Sequence, residues 1–296
     1  SLRNAYDEAL PGWSEGDVMG SPYAVADLCV DEFLGGDTGL RRFRERLKGF
    51  GLGLVLDFVP NHLGRDHEWV RFHPERFVGA VQPFDGSFRV ATEKGERFLA
   101  HGKDPFFPGW TDTVQVEYRN WGARRAMATI LGAIADRCDG VRCDMAMLVL
   151  ENVFERTWEH VPYAGDAARG EFWAEAISSV RERHPDFLFL AEAYWGLEER
   201  LCDVGFDFAY DKTLYDRLVH DDGEGVVSHV LGMGGMNARR AHFLENHDEP
   251  RLASAFGKER IMSALVTTLC LPGMRFLHDG QVEGLRRFAR IQLGRR

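Results

Sequence analysis

The chain lacks any apolar run approaching the roughly 18 residues a membrane-spanning helix needs, so nothing in it reads as a transmembrane segment. It lacks a basic excess: 36 Lys and Arg against 46 Asp and Glu leave a net charge of -10, the wrong sign for a nucleic-acid or anionic-membrane partner. It lacks CxxC spacing. Its five cysteines, Cys29, Cys138, Cys143, Cys202 and Cys270, are odd in number and several lie in apolar segments. They read as buried free thiols, which favours a reducing, cytoplasmic setting and argues against a disulfide framework or a zinc site. No internal repeat or low-complexity tract is found. The chain opens at Ser1 without Met or a signal-peptide-like segment, and ends on Gly294-Arg295-Arg296.

What is present is apolar content of 45%, aromatics at 12% and 32 glycines in 296 residues, the mark of a globular, turn-rich protein. That length suits one (β/α)8 barrel or two ordinary domains. Short β-branched or aromatic runs alternate with amphipathic helical patterns, the signature of βα units. Strands are expected over 52–59, 139–144, 187–192, 205–210 (weaker), 241–248 and 274–279. Helices are expected from Asp37-Thr38 to about Gly49, and over 124–135, 171–183 and 259–269. Residues 63–115, rich in Phe, Pro, Gly, His and Trp without a clear period, read as an irregular insertion after the first strand. The expected fold class is α/β, a TIM (β/α)8-type barrel in which 1–62 and 116–296 form the barrel and 63–115 the insertion.

Each apolar strand ends in acids, histidines or an arginine. In a parallel barrel such ends converge on one face, where Asp57, Asn61, His62, Arg142, Asp144, Glu192, His247 and Asp248 would line one pocket. A surplus of carboxylates suits glycoside hydrolysis, which needs one as nucleophile and one kept protonated for the leaving oxygen. A strand-end Asp can also simply cap the following helix. His62, His67 and His73 are poorly spaced for zinc. Trp69, Trp110, Trp195 and Phe84 are candidate sugar-stacking platforms, core packing being the alternative.

Asp57-Phe58-Val59-Pro60-Asn61-His62, Gly140-Val141-Arg142-Cys143-Asp144, Ala191-Glu192-Ala193-Tyr194-Trp195 and Glu245-Asn246-His247-Asp248 resemble, in order, the four signature regions of the α-amylase family of glycoside hydrolases, a clan of retaining α-glucan enzymes. Gly20-Ser21-Pro22-Tyr23 is similar to the segment after that family's second strand, and Trp110-Thr111-Asp112-Thr113-Val114-Gln115 to the end of its inserted B domain. The resemblance implies that Asp144 is the nucleophile, Glu192 the acid and then the base, and Asp248 the stabiliser of the distorted sugar. It implies that Arg142 hydrogen-bonds Asp144 and keeps it ionised. His62 and His247 would bind sugar hydroxyls, Tyr23 would stack on the sugar face, Trp195 would also bind substrate, and Asp57 would brace the arginine network. No cofactor is required, although Asn61 matches an asparagine that holds a structural calcium in many relatives. The partner implied is an oligo- or polysaccharide of α-linked glucose.

Two departures qualify the resemblance. Met147 and Leu148 stand where many α-amylases carry Lys-His on the acceptor side, which leaves glycosyl or maltosyl transfer open beside hydrolysis. The strands read here correspond to the third to eighth of the family's barrel, so the chain by itself is expected to leave strand edges unpaired and to be inactive or insoluble. A reading of another class is a non-catalytic binding protein on the same fold.

Overall fold

A computed structural model describes residues 2–93 and 95–294. The chain divides into two compact units, the first comprising residues up to 22, 193–199 and 208 onward, the second 23–192 and 200–207.

The second unit is organised by three parallel strands, β1 (Val55–Phe58), β7 (Gly140–Cys143) and β8 (Leu188–Ala191), with β7 in the middle. All four residues of β7 are buried, as a strand covered on both faces requires. Helix Trp121–Ala135 leads into β7 and starts where Asn120 accepts the Ala123 N–H at 2.9 Å. Helix Phe172–Arg183 leads into β8 and buries Phe172, Trp173, Ala176, Ile177 and Val180, a single face at helical spacing. Helix Gly36–Gly49 precedes β1. These agree with the strand and helix positions read from the sequence to within a few residues.

Segment 63–115 is more regular than its sequence suggests. His62–Gly64 (β2) pairs with Thr113–Gln115 (β6), and Gly79–Ala80 (β3), Ser87–Thr92 (β4) and Gly95–Ala100 (β5) form an antiparallel sheet in the order β3-β5-β4. The period is hidden because these strands are short and carry charges such as Arg89 and Glu96 on an exposed side, where they pair at 2.6 Å.

The first unit carries β9 (Phe208–Tyr210), β10 (Arg240–His242) and β11 (Met274–Arg275), also parallel, with β10 in the middle. Tyr210, Tyr215, Phe243 and Phe276 pack their rings beside them. Helices Lys212–Val219 and Gly223–Met233, unread in the sequence, follow β9. Asp211 opens the first of them: its Oδ1 accepts the Leu214 N–H at 3.1 Å and faces His229 Nε2 at 2.8 Å, while Oδ2 faces His242 Nδ1 at 3.0 Å.

The strands expected over 241–248 and 274–279 are both shorter than read. After His242 the chain leaves the ladder because side chains take over its backbone groups. Asn246 Oδ1 accepts the N–H groups of Asp248 and Glu249 at 2.9 Å each, and buried Glu245 pairs with Arg251 at 2.7 Å. Apolar side chains are exposed in each unit, among them Phe50, Leu52 and Val55 near β1 and Val266, Leu269 and Leu277 in the first unit. Cys138, Cys143 and Cys202 are buried free thiols, whereas Cys29 and Cys270 are exposed. Among the described residues no helix is long and apolar enough to cross a membrane.

Candidate active site

β7 and β8 end side by side in the second unit. Cys143 and Ala191 are register partners, so Asp144 and Glu192, one residue further on each strand, share the next rung. The main chain carries the ladder that far: the Asp144 N–H donates to Phe58 O at 2.9 Å and the Glu192 N–H to Cys143 O at 3.0 Å. Arg142 shares a strand face with Asp144, because side chains alternate along a strand. It is also the register partner of Asp57 on β1.

The Arg142 guanidinium is the hub. Nη1 lies 3.0 Å from Asp144 Oδ1 and 3.5 Å from Asp57 Oδ1, and Nη2 lies 2.8 Å from Glu192 Oε2. The Tyr23 hydroxyl donates to Asp57 Oδ2 at 3.2 Å and accepts from Arg142 Nη1 at 3.3 Å, with its ring 5.5 Å from the guanidinium carbon. Tyr23 was expected only to stack on a sugar; its hydroxyl is part of the charge network. Burial pushes that hydroxyl well above the usual phenol range.

Three carboxylates thus share one fixed cation, and Arg142, Asp144 and Glu192 are all buried. Burial first, and the adjacent Glu192 charge second, push the Asp144 carboxyl well above the usual carboxylate range; Arg142 opposes both without prevailing. Asp144 and Glu192 both lie within reach of this one guanidinium, close enough for the charge of each to act on the other. Such a pair supplies one acid and one base at the same time.

A further contact was not foreseen. Directly after the nucleophile candidate the chain enters the left-handed region at Met145, φ 43°, and the Met145 N–H donates to Glu192 Oε2 at 2.7 Å. Residue identity carries no signal for this, since a positive φ outside glycine is uncommon and unsignalled by methionine. Met147 and Leu148, expected on the acceptor side, are 0% and 3% exposed within the short turn Ala146–Val149. They fill the interior.

His62, on β2 opposite Gln115, is buried, and that burial pushes its imidazole down to about 4. It is neutral at physiological pH, with one ring nitrogen to donate and one to accept. Its ring lies 4.9 Å from Trp110. Trp69 is buried, with the Arg76 guanidinium 4.3 Å from its ring, so it is core rather than a platform. His67 accepts the Trp69 N–H at 3.1 Å and caps a helix.

Asn61 does not sit in a calcium donor set. Its Oδ1 accepts Gln115 Nε2 at 3.0 Å, and its main-chain oxygen accepts that amide at 2.8 Å and the Val116 N–H at 3.1 Å. Calcium takes about six to eight oxygens. Among the described residues no group of three or more His, Cys, Asp or Glu side chains could hold a metal ion. The bonds between Asn61 and Gln115 splint the junction of β2 and β6.

The remaining candidates belong to the first unit. His247 Nε2 lies 3.0 Å from Asp248 Oδ2 in the loop that Asn246 organises. Trp195 is 43% exposed and held at φ 63°, a costly conformation for a bulky residue, with its indole 6.4 Å from the Tyr194 ring.

The chain is 27% identical over 273 residues to an α-amylase of Haloarcula japonica, covering 89% of this chain and 36% of that protein. It is 29% identical over 199 residues to the α-1,4-glucan:maltose-1-phosphate maltosyltransferase of Pseudomonas aeruginosa, covering 64% of this chain and 25% of that one. Both relatives are therefore far longer than the chain. The crystal structure of an α-amylase from Lactobacillus plantarum matches with a TM-score of 0.71 at 22% identity, over 94% of this chain and 63% of that one. That likeness carries the fold, an α/β barrel of the TIM type in part. No family model matches the chain.

Proposed function

We infer that this chain, which belongs to the α-amylase family of glycoside hydrolases, carries the chemical centre of a retaining enzyme acting on α-linked glucosides. The observation that supports this best is the single buried guanidinium of Arg142 holding both Asp144 and Glu192 at the ends of neighbouring parallel strands. Retention needs a nucleophile and an acid close together, with the acid later serving as base.

In the first step Asp144 attacks the anomeric carbon. The bond from that carbon to the leaving oxygen breaks, and the departing electron pair takes a proton from Glu192. Oδ1 is committed to Arg142 Nη1, which leaves Oδ2 as the attacking oxygen. In the second step Glu192 takes a proton from an incoming hydroxyl, whose oxygen attacks the same carbon and releases Asp144. Water as that acceptor gives hydrolysis. Neutral His62 suits the sugar hydroxyls.

The test is trapping with a fluorinated glucosyl substrate. A covalent sugar is expected by mass spectrometry on the peptide bearing Asp144, with Asp144→Asn abolishing both label and turnover. A label elsewhere, with Asp144→Asn still active, would sink the assignment. Transfer is the second reading, favoured by the 29% identity to a maltosyltransferase. Maltooligosaccharide digests with and without an added sugar or phosphate acceptor separate the two, since purely hydrolytic products in both exclude transfer.

A further inference from the structure

We propose that Trp173 is a positioning residue for this reaction: through the Ala146 carbonyl its indole holds the turn that aims the Met145 N–H at Glu192, and this leaves the transferable proton on Glu192 Oε1. The proposal rests on the reading above that Glu192 is the acid.

The turn after β7 has an energetic problem. Met145 is a non-glycine residue at φ 43°, ψ 44°, a region in which its Cβ crowds the backbone. Such a conformation persists only where surrounding contacts over-determine it. The contacts are present on both sides. On one, the Met145 N–H meets Glu192 Oε2 at 2.7 Å and the Ala146 N–H meets the Glu192 main-chain oxygen at 3.1 Å. On the other, the Ala146 carbonyl accepts the Trp173 indole N–H at 2.9 Å.

Trp173 itself has no room to move. It is fully buried, with its rings 6.3 Å from Phe58, 5.4 Å from Phe172 and 4.8 Å from Phe206. Phe58 is also the residue whose carbonyl receives the Asp144 N–H. One rigid side chain therefore abuts the strand that anchors the nucleophile and pins the turn that anchors the acid.

The consequence at Glu192 is atomic. Oε2 faces two donors, the Met145 N–H and Arg142 Nη2 at 2.8 Å. An oxygen that accepts the Met145 N–H and lies against the guanidinium charge is held as the acceptor side of the carboxyl, so the hydroxyl form of the acid carries its hydrogen on Oε1. Losing the indole donor leaves the buried Ala146 carbonyl without that partner and lets the turn relax out of the left-handed region. The Met145 N–H then swings off Oε2, and the proton is no longer confined to the oxygen that faces the leaving group.

The signature is a dependence on the leaving group. Fluoride departs with its electron pair and needs no proton, whereas a sugar alkoxide does. In the protein that carries this chain, Trp173→Phe keeps an aromatic ring and removes the donor. The value of kcat/KM, which reports steps up to departure of the leaving group, is expected to fall at least about tenfold on maltooligosaccharides. On α-glucosyl fluoride it is expected to stay within about twofold, with KM for both substrates near the parent value. Should the phenylalanine variant fail to fold, β-(3-benzothienyl)alanine at position 173 preserves the ring shape without the N–H and carries the same expectation. Equal losses on both substrates, or none on either, overturn the role of Trp173 while the function stands. Failure of the unsubstituted protein to turn over either substrate overturns the function and this role with it.

Discussion

Asp144 and Asp211 are both buried carboxylates one residue past the end of a parallel strand, and their charges are handled in opposite ways. Asp144 competes with Asp57 and Glu192 for one guanidinium, and burial with the neighbouring Glu192 charge leaves it well above the ordinary range. Asp211 has two histidines to itself. Burial pushes it up, but the hydrogen bonds and charges of His229 and His242 outweigh burial and leave it well below the ordinary range. The ratio of cations to carboxylates decides the outcome, because each burial penalty must be met locally. A site short of positive charge leaves a carboxylate poorly satisfied, which suits a group that must react; a site with two ring nitrogens for one carboxylate holds it tightly and serves as a structural tie.

The largest expected effect separates the two in activity. Asp144→Asn is expected to lower turnover by about four orders of magnitude or more in a steady-state assay, because the nucleophile acts as a unit with the acid. Asp211→Asn is expected to leave the turnover of the folded protein within a few-fold. Comparable losses in both would erase the distinction.

Stability is expected to show the reverse. Asp211→Asn leaves two buried histidines without their carboxylate partner and is expected to cost about 3 kcal/mol in urea unfolding at neutral pH. The folded carboxyl lies below its unfolded value of 3.8, so its contribution is present above that value and is lost as the pH falls through the folded one. The gap between parent and variant is therefore expected to close in acid below about pH 4.

His62 gives an intermediate effect. Its folded value of about 4 lies below the unfolded 6.5, so its stabilising share is complete above 6.5 and drains away as the pH falls toward 4. The shift corresponds to about 3 kcal/mol, and His62→Gln is expected to flatten the stability profile across that window. A profile unchanged by the substitution would place the acid sensitivity elsewhere.

The smallest effect has the opposite sign. Asp144 is raised on folding, so its ionisation costs stability as the pH rises through the folded value. Asp144→Asn is expected to stabilise the fold at neutral pH by about 1 kcal/mol while abolishing activity, the exchange typical of a catalytic position. A destabilised variant would mean that Arg142 satisfies Asp144 better than its sharing with Asp57 and Glu192 implies.

Parts of the fold were legible because their causes are local. Buried strands such as 140–143 show as apolar runs, and helices such as 172–183 show as a one-sided apolar period. The span 241–248 misled because Phe243 and Leu244 look like strand while Glu245 and Asn246 divert the backbone with their own side chains. Segment 63–115 concealed five short strand pieces for the related reason that two to six residues are too few to reveal a period. At the site, the carboxylates stand out as polar interruptions at strand ends. The roles of Tyr23, Met145 and Trp173 do not, for each depends on a partner remote in sequence: Tyr23 on Asp57, Met145 on Glu192 and Trp173 on Ala146.

The sequence by itself determined which residues are available at the strand ends, and with them the resemblance to the α-amylase family, because residue type and spacing are written into the chain. Only the tertiary structure decided how charge is shared among them. It set one arginine against three acids, turned Met147 and Leu148 inward, and tied Asn61 to Gln115. The reason is physical: burial and the distances between side chains set the cost of a charge, and neither exists until distant segments are packed together.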